Sequence, residues 1–452
     1  MTTDAKLGAT ALDLSRSRQL HDEAKRFLPM GVTGDGRYSQ PFPISFVRGR
    51  GKELEDVDGN TYLDYHAGFG TAILGYSHPE VDATVARATE EIGAFVGLPH
   101  PGEVHLAERL CRLIPLAERV ALCGGGGSDG IYHAVRVARA ATGRTKIVKV
   151  EGGYHGWHAD VGANTRPGHV DLEAAEPSRS SNSDGSLPAA VDEIVVVTVN
   201  DSDGMSRAFR KHGDEIAGVI LEPVLYSAGC IHVEQDYVDV TRALCAESGA
   251  LLIYDEVMSG FRNGLGGAGA RKGPADLGVY GKAIANGYVI AVLAGRSDLI
   301  GLLAPEGPVF YSGTFNGHPL SVAAANATLD VLEREDVAGR ISRLAERLAG
   351  GVNETIDELG LNAVCQTEGS VWNLYLGVRE VREYRALARS LTPEILELND
   401  AYLAFLRDRG VYIHKRYVNR AFVSGEHDEG DVDRTVEIVR EFLESKRDRL
   451  AA

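Results

Sequence analysis

The sequence predicts an α/β protein with a mostly parallel central sheet, helices on both faces of that sheet, and a smaller discontinuous α+β domain. From about residue 78, short apolar runs alternate with segments of helical period, as in sheets built with crossover helices. Several of these runs end in glycine or an acid, as buried strands do where they open into a site. Beyond residue 319, long helical segments mix with short strands, which indicates a second domain.

The N-terminal region precedes the alternating pattern. Residues 5–29 predict an amphipathic helix, and a glycine-rich loop follows around Arg37. Two short strands are predicted within 44–64, around the turn at 58–60. We therefore predict three parts: an N-terminal segment and cap of the small domain (1–77), a large domain (78–320) and a C-terminal small domain (321–452).

The remaining elements follow in order along the chain. Helices are predicted over 79–92, 102–114, 131–142, 320–334, 339–358, 393–409 and 430–449. Strands are predicted over 119–123, 146–150, 193–199, 217–221, 250–254, 287–294, 371–377, 411–414 and 420–424. Residues 163–190 are polar and lack periodicity, which predicts a long mobile loop of the kind that often covers or binds a ligand.

Composition limits the class of partner. The 452 residues include 47 Lys and Arg against 64 Asp and Glu, a formal net charge of −17. This balance argues against nucleic acid or an anionic membrane surface as the main partner. The five cysteines are scattered, so neither a metal cluster nor a disulfide framework is expected, and a reducing, cytoplasmic compartment fits. We also expect no signal peptide and no membrane span.

Asp255 and Lys282 are the first candidates for chemistry. The predicted strand 250–254 ends at Asp255, and Lys282 follows between Gly281 and Ala283 without an adjacent acid. A desolvated lysine has a lowered pKa and attacks carbonyl carbon, and a buried carboxylate can hold a protonated pyridine nitrogen. On these residues alone, a core strand with a solvated acid and a surface lysine fits equally well.

A glycine run at 124–127 offers an anion site. It lies between the predicted strand 119–123 and a helix that begins near Ser128, so backbone N–H groups and the helix dipole would converge on a phosphate. Residues 125–130 also satisfy G-x-G-x-x-G, and Glu151 follows about 20 residues later, as in dinucleotide sites. A nicotinamide-dependent dehydrogenase and a simple tight turn are therefore both open at this point.

Loops that follow predicted strands carry further candidates. Tyr154, His155 and Trp157 lie just after 146–150, where an aromatic ring can stack on a heterocycle and an imidazole can assist proton transfer. Glu222 ends another strand, and Thr314 precedes a helix, where its hydroxyl would suit a phosphate. Each of these residues, taken alone, also fits aromatic packing or capping.

Two basic positions suit a substrate carboxylate. Arg37 lies among glycines on a loop, where a guanidinium can bind a carboxylate in bidentate fashion. Arg416 belongs to a basic patch, 414–416, in an acidic protein and would steer anions toward a site. A solvated surface explains both positions as well.

Together these residues resemble the class III, fold-type I aminotransferases that use pyridoxal phosphate, in the branch of glutamate-semialdehyde aminomutase and β-amino-acid aminotransferases. The signature is 255–262 followed by 281–284, and the resemblance runs from Gly31 to the last helix. It implies ping-pong transfer of an amino group between an amino donor, which carries a carboxylate, and a keto acceptor. The alternative that it implies is an aminomutase, which returns both amino groups to one skeleton; a non-catalytic relative is a third hypothesis.

The resemblance also implies a role for each candidate. Lys282 would form the Schiff base and move the proton, and Asp255 would keep the pyridine nitrogen protonated. Arg37, Trp157 and Arg416 would bind substrate. The remaining cofactor residues would be Gly127, Ser128, Tyr154, His155, Glu222, Val257 and Thr314. Thr314 would reach the phosphate of the neighbouring subunit, which implies a homodimer with shared active sites.

The sequence departs from the aminomutase at two positions. Gly34 stands where the aminomutase has a serine, and Asn419 stands near the position of an acid. These differences favour transfer between two molecules. The cradle 126–129 also lacks the family's usual Ser/Asn-Gly-Thr-Glu, so it would depend more on backbone N–H groups.

Overall fold

The computed structural model describes residues 12–174, 176–416 and 418–451, and a seven-stranded sheet lies at its centre. Ala291–Gly295 is antiparallel to both of its neighbours, whereas the other strand pairs are parallel. The order across the sheet is Arg119–Cys123, Ala291–Gly295, Leu277–Tyr280, Leu251–Glu256, Ile216–Leu221, Lys146–Val150 and Ile194–Val197. The predicted mostly parallel sheet is therefore confirmed.

Helices cover both faces of this sheet. Ile253 packs in one cluster with residues of the helix Gly127–Thr142. Its neighbours Leu252 and Tyr254 pack in another cluster, together with the helices Ser202–His212 and Gln235–Ser248. Successive strand residues point to opposite faces, and both faces are apolar here, because a parallel sheet is buried on both sides.

Smaller sheets combine distant parts of the chain. Val411–Tyr412 pairs in parallel with Thr61–Asp64, next to Glu53–Asp56 and Phe46–Arg50. A three-stranded sheet contains Ala363–Glu368, Val371–Leu376 and Ala421–Phe422, and Val224–Leu225 pairs with Ile231–His232. Pairing of N-terminal with C-terminal strands supports a discontinuous small domain, and the boundaries after residues 77 and 320 remain predictions.

Each predicted helix has a counterpart, but the sequence does not predict Ser202–His212, Gln235–Ser248, Tyr384–Ser390 or most of the helices of four or five residues. The α-helices span Ser15–Ala24, Ala67–Gly70, Pro79–Glu91, Pro101–Leu113, Gly127–Thr142, Pro188–Asp192, Ser202–His212, Gln235–Ser248, Gly269–Lys272, Ser297–Ile300, Pro319–Arg334, Val337–Leu359, Tyr384–Ser390, Pro393–Arg407, Glu429–Ser445 and Arg447–Leu450. The predicted helix 5–29 is shorter, and residues 5–11 of it lie outside the described residues. No helix in the described ranges is both long and apolar enough to cross a bilayer.

The sequence does not predict four of the strands: the two-residue strands Val224–Leu225 and Ile231–His232, and two longer ones. Leu277–Tyr280 has four residues, includes Gly278 and lies between two other strands. Its neighbours in the sheet, rather than its own periodicity, make it a strand. Ala363–Glu368 was missed because it is only partly buried. In the predicted loop 163–190, the helical turns of the described residues are Pro167–His169 and the start of Pro188–Asp192.

Candidate active site

A cavity of approximately 240 Å³ lies at the carboxyl ends of the parallel strands. It opens beside Leu251–Glu256 and next to the beginning of the helix Gly127–Thr142. With the exception of Thr314, every residue predicted to bind the cofactor lines it: Gly127, Ser128, Tyr154, His155, Glu222, Asp255, Val257 and Lys282. The strand order has thus brought together residues from five separate segments of the sequence.

Asp255 is held in place by two donors. Its Oδ1 accepts the N–H of Val257 at 3.0 Å, and its Oδ2 lies 2.8 Å from Nδ1 of His155. Both side chains are buried, and burial lowers the pKa of His155. A neutral imidazole that meets a carboxylate through Nδ1 must carry its proton there. The two contacts therefore fix the orientation of the Asp255 side chain at the cavity wall.

Lys282 begins a short 3-10 helix directly after the strand Leu277–Tyr280. Its φ of 45° lies in the left-handed region, which costs a non-glycine residue on the order of 1 kcal/mol and is characteristic of functional sites. Among the described residues, no atom accepts a hydrogen bond from its Nζ. Burial lowers the pKa of Lys282 to about 8, although the negative charge of Asp255 opposes this change.

The lowered pKa predicts how the reactivity of Lys282 depends on pH. An amine with a pKa of about 8 instead of 10.5 is uncharged, and hence nucleophilic, above about pH 8. The rate of pyridoxal phosphate uptake by the cofactor-free protein should therefore rise through about pH 8 and then level off. In Asp255→Asn the midpoint should move to lower pH, because the carboxylate that favours the ammonium form is lost. Stopped-flow absorbance measures both rates, and a flat profile would contradict the prediction.

Glu222 also faces the cavity. Its Oε2 accepts the N–H of Ser227 at 3.1 Å, and its buried Oε1 has no partner among the described residues. Burial, followed by the charge of Asp255, raises the pKa of Glu222 to about 7. A buried carboxyl group with one unsatisfied oxygen needs a further partner, and a polar group on a bound cofactor would supply it.

The glycine run forms an anion cradle at a helix N-terminus. Gly126 has a φ of 83° and precedes the first turn. The N–H groups of Asp129 and Gly130 donate to its carbonyl oxygen, which leaves those of Gly127 and Ser128 without a partner in the helix. A Cβ on Gly127 would lie 2.5 Å from Cγ1 of Val257, and one on Gly156 would lie 3.0 Å from the Ser128 hydroxyl oxygen. Backbone donors at a helix N-terminus that borders a cavity fit a phosphate group.

Gly127→Ala tests this cradle. The added methyl group would collide with Val257, which must then move into the cavity, so we expect the Kd for pyridoxal phosphate to rise by about 10-fold or more. Gly213→Ala is the matched control, because Gly213 has a φ of −52° and open space around its Cα. Equal Kd values for the two variants, measured by fluorescence quenching, would show that the cradle does not hold the cofactor.

The other predicted site residues, Thr314, Arg37, Trp157 and Arg416, do not line the cavity of the single chain. Trp157 is 83% exposed, and Thr314 is also exposed. Arg37 is exposed as well, and its Nη1 donates to Oγ1 of Thr33 at 2.8 Å.

The turn at Arg37, the segment 163–190 and the basic patch 414–416, which are the regions predicted to bind ligand or substrate, nevertheless contact one another. The Nε2 of His414 is 2.6 Å from the carbonyl oxygen of Gly36, and a Cβ on Gly36 would lie 2.8 Å from Nη1 of Arg416. Asp35 pairs with Arg166, which belongs to the segment 163–190, at 2.5 Å. The turn that carries Arg37 is therefore held between the basic patch and that segment.

Several lining residues had no signal in the sequence. Thr71 and Tyr288 lie on the cavity wall, yet both fall outside the signature segments 255–262 and 281–284. Ser227 follows Glu222 by five positions on a hairpin and supports it; such a side chain–backbone contact depends on the hairpin geometry. Within the described residues, no group of acidic, histidine or cysteine side chains is arranged to hold a metal ion.

The dinucleotide interpretation of 125–130 fails at Glu151. This carboxylate is fully buried and pairs with Arg385 at 3.4 Å. It therefore cannot reach the ribose of a dinucleotide, which is the role that the fingerprint requires of it.

The fold and this cavity define a fold-type I enzyme that uses pyridoxal phosphate. The bound cofactor supplies a ring that accepts electrons from the carbon next to the substrate nitrogen. The chain belongs to the class-III aminotransferase family, whose model matches residues 35–369.

Relatives within this family carry two kinds of name. A glutamate-1-semialdehyde 2,1-aminomutase of Methanopyrus kandleri is 36% identical over 437 residues, which cover 96% of this chain and 98% of the relative. One from Thermomicrobium roseum is 36% identical over 434 residues, 95% of this chain and 98% of the relative. Among solved structures, an ω-transaminase from Sphaerobacter thermophilus superposes with a TM-score of 0.89 at 27% identity, covering 95% and 98% of the two chains. A β-phenylalanine aminotransferase from Variovorax paradoxus gives a TM-score of 0.86 at 27% identity, covering 96% and 95%.

Proposed function

We propose that this protein moves an amino group on a carboxylate-bearing substrate and that its reaction is a 2,1-aminomutation of the glutamate-1-semialdehyde type. The observation that carries the chemistry is the position of Lys282 in the same cavity as Asp255, with a lowered pKa and, within the described ranges, no hydrogen-bond acceptor for its Nζ. The aminomutase reaction is supported by the names of relatives that match almost the whole chain.

Each residue of the cavity then has a defined task. Nζ of Lys282 accepts the proton from the substrate carbon and returns it to a neighbouring carbon. The Asp255 carboxylate, held by His155, keeps a proton on the pyridine nitrogen. Backbone N–H groups at Gly127 and Ser128 bind the phosphate, and Tyr154 and Val257 enclose the ring on its two faces.

Transfer between two separate molecules is a second candidate. Solved structures that superpose with TM-scores of 0.89 and 0.86 are named as a transaminase and an aminotransferase. The sequence also has Gly34 and Asn419 where the aminomutase has a serine and, nearby, an acid. Neither difference alters the cavity around Lys282, so the two candidates share the same proton-transfer machinery.

A substrate assay separates the two candidates. Glutamate-1-semialdehyde is supplied as the sole substrate to protein loaded with the aminated cofactor, and the 1-amino-2-oxo isomer is quantified. In parallel, amino donors are screened against 2-oxoglutarate and pyruvate. Isomer formation without any acceptor supports the aminomutase; turnover only with a donor and an acceptor supports the transferase. Absence of both reactions would overturn the proposed function.

Arg37→Ala tests how the carboxylate is recognised. If Arg37 binds it, the KM for acidic substrates should rise about 10- to 100-fold, in line with the loss of a charged hydrogen bond, while simple amines are unaffected. Arg87→Ala is a suitable control, because Arg87 also donates to a threonine hydroxyl on an exposed surface. Equal losses for acidic and simple amines would exclude this role.

We also propose that the protein acts as a homodimer with shared sites. Val289 lines the cavity while 61% exposed, and Phe315, next to Thr314, is 59% exposed. Apolar side chains exposed at a cavity wall are typical of a surface that a partner covers. Sedimentation of the loaded protein should therefore give a dimer, and a monomer that is fully active would contradict the proposal.

A further inference from the structure

Lys149 is a buried lysine to which the proposed reaction gives no role. It lies on the strand Lys146–Val150 and is fully inaccessible to solvent. A buried ammonium group is retained in a protein only where it is paired and hydrogen-bonded. The acids that interact with Lys149 are Glu222 and Glu151, and burial lowers its pKa to about 7.

The hydrogen bonds of Lys149 join two segments that are separate in sequence. Its Nζ donates to the carbonyl oxygen of Gly153 at 2.9 Å and to that of Ala163. Gly153 belongs to the turn that leads into Tyr154 and His155, and Ala163 opens the segment 163–190. The backbone N–H of Gly152 donates to the carbonyl oxygen of Asn164 at 2.8 Å, so the two segments also contact each other directly.

This turn decides where His155 lies. A Cβ on Gly153 would be 2.8 Å from Nε2 of His155, so the imidazole packs against the backbone that Lys149 holds. On its other side, the same imidazole meets Oδ2 of Asp255. A displacement of the Gly153 carbonyl would therefore be transmitted through His155 to the carboxylate that faces the pyridine nitrogen.

The C-terminal part of the chain closes the network. A Cβ on Gly152 would lie 2.5 Å from the ring of Tyr384. Arg385 pairs with Glu151 and donates to the carbonyl oxygens of Asp171 and Ala174, at 2.8 Å and 2.6 Å. The helix Tyr384–Ser390 thus packs on one side of the turn at Gly152 and Gly153, and Lys149 binds the same turn from the other side.

We propose that Lys149 is a positioning residue for the cofactor site: by holding the carbonyl groups of Gly153 and Ala163 together, it places His155 against Asp255 and fixes the start of the segment 163–190. This inference rests on the proposed use of Asp255 and His155 in holding the cofactor. Lys149 touches neither cofactor nor substrate, because it does not line the cavity.

The test compares Lys149→Met with the wild type. Methionine fills a similar volume but removes the charge and both hydrogen bonds. We expect the Kd for pyridoxal phosphate to rise about 10-fold or more. Hydrogen–deuterium exchange in the cofactor-free protein should become faster over 152–156 and 163–165. The absorbance maximum of the bound cofactor should shift in the same direction as in His155→Ala, and the double variant should show no larger shift than His155→Ala alone.

Two further variants serve as controls. Lys149→Arg keeps a cationic donor and should restore most of the affinity. Lys146→Met removes a lysine at the far end of the same strand, where it pairs with Glu193 and Glu215, and should leave the Kd and the spectrum unchanged. If Lys149→Met does not fold, Lys149→Gln, which keeps a neutral donor, takes its place.

The outcomes separate this inference from the proposed function. If the wild type binds pyridoxal phosphate and Lys149→Met matches it in Kd, exchange and spectrum, the positioning role is overturned. Additive shifts in the double variant would likewise overturn the route through His155. If the expected changes occur but neither substrate assay gives product, the positioning role stands and only the proposed function fails.

Discussion

Replacing Lys282 by alanine is expected to abolish turnover, with a loss of about 10⁴-fold or more. The substitution removes both the nucleophile that binds the cofactor covalently and the amine that transfers the proton, and proton transfer alone contributes about 10²- to 10⁴-fold. The structure supports this expected loss for two reasons. Among the described residues, Lys282 is the lysine that lines the cavity, and burial lowers its pKa to about 8. Single-turnover kinetics and borohydride fixation measure the two losses separately.

The control for this prediction is a lysine outside the cavity. Lys272 donates to the carbonyl oxygen of Val233 at 2.6 Å, so Lys272→Ala changes surface packing without touching the site. We expect Lys272→Ala to retain the covalently attached cofactor and nearly full turnover. If borohydride fixed the cofactor to Lys282→Ala as completely as to the wild type, Lys282 would not be the attachment point.

Replacing Asp255 by asparagine should lower kcat by about 10²- to 10³-fold, which is typical of losing one electrostatic group aimed at a reacting charge. The amide still accepts the N–H of Val257, but it carries no charge to hold a proton on the pyridine nitrogen. The substitution also removes the carboxylate oxygen that lies 2.8 Å from Nδ1 of His155. The absorbance spectrum of the loaded variant should therefore show a deprotonated ring nitrogen at neutral pH.

The neighbouring carboxylate provides a demanding control. Glu256 is buried and accepts hydrogen bonds from Ala268 at 3.1 Å and Gly269 at 2.5 Å, yet it does not line the cavity. Glu256→Gln should lower the melting temperature and leave the spectrum unchanged. If the kcat of Asp255→Asn stays within about two-fold of the wild-type value, the loss is far smaller than that expected for such a group. Another group would then hold the ring nitrogen.

Local patterns were sufficient to predict six of the seven strands of the central sheet and to single out Asp255 and Lys282 as candidates for chemistry. Short segments rich in β-branched and apolar residues predicted strands over 250–254 and 146–150, close to the observed Leu251–Glu256 and Lys146–Val150. The same patterns missed Leu277–Tyr280, whose Gly278 weakens its strand character. The pair Asp255 and Lys282 was found because an acid at a strand end and an isolated lysine both stand out against an apolar background.

The sequence by itself determined the α/β class and, through the resemblance of its motifs, the aminotransferase family and its cofactor. It offered Asp255, Lys282 and the glycine run as candidates, and the folded chain brings them to one cavity. Only the tertiary structure decided what supports them. The contact of His155 with Asp255 spans 100 positions, and that of Arg385 with Glu151 spans 234. Such contacts depend on the order in which strands assemble, which no local periodicity encodes. For the same reason, Lys149 is indistinguishable in the sequence from a lysine at a sheet surface, whereas the folded chain buries it behind the turn that carries His155.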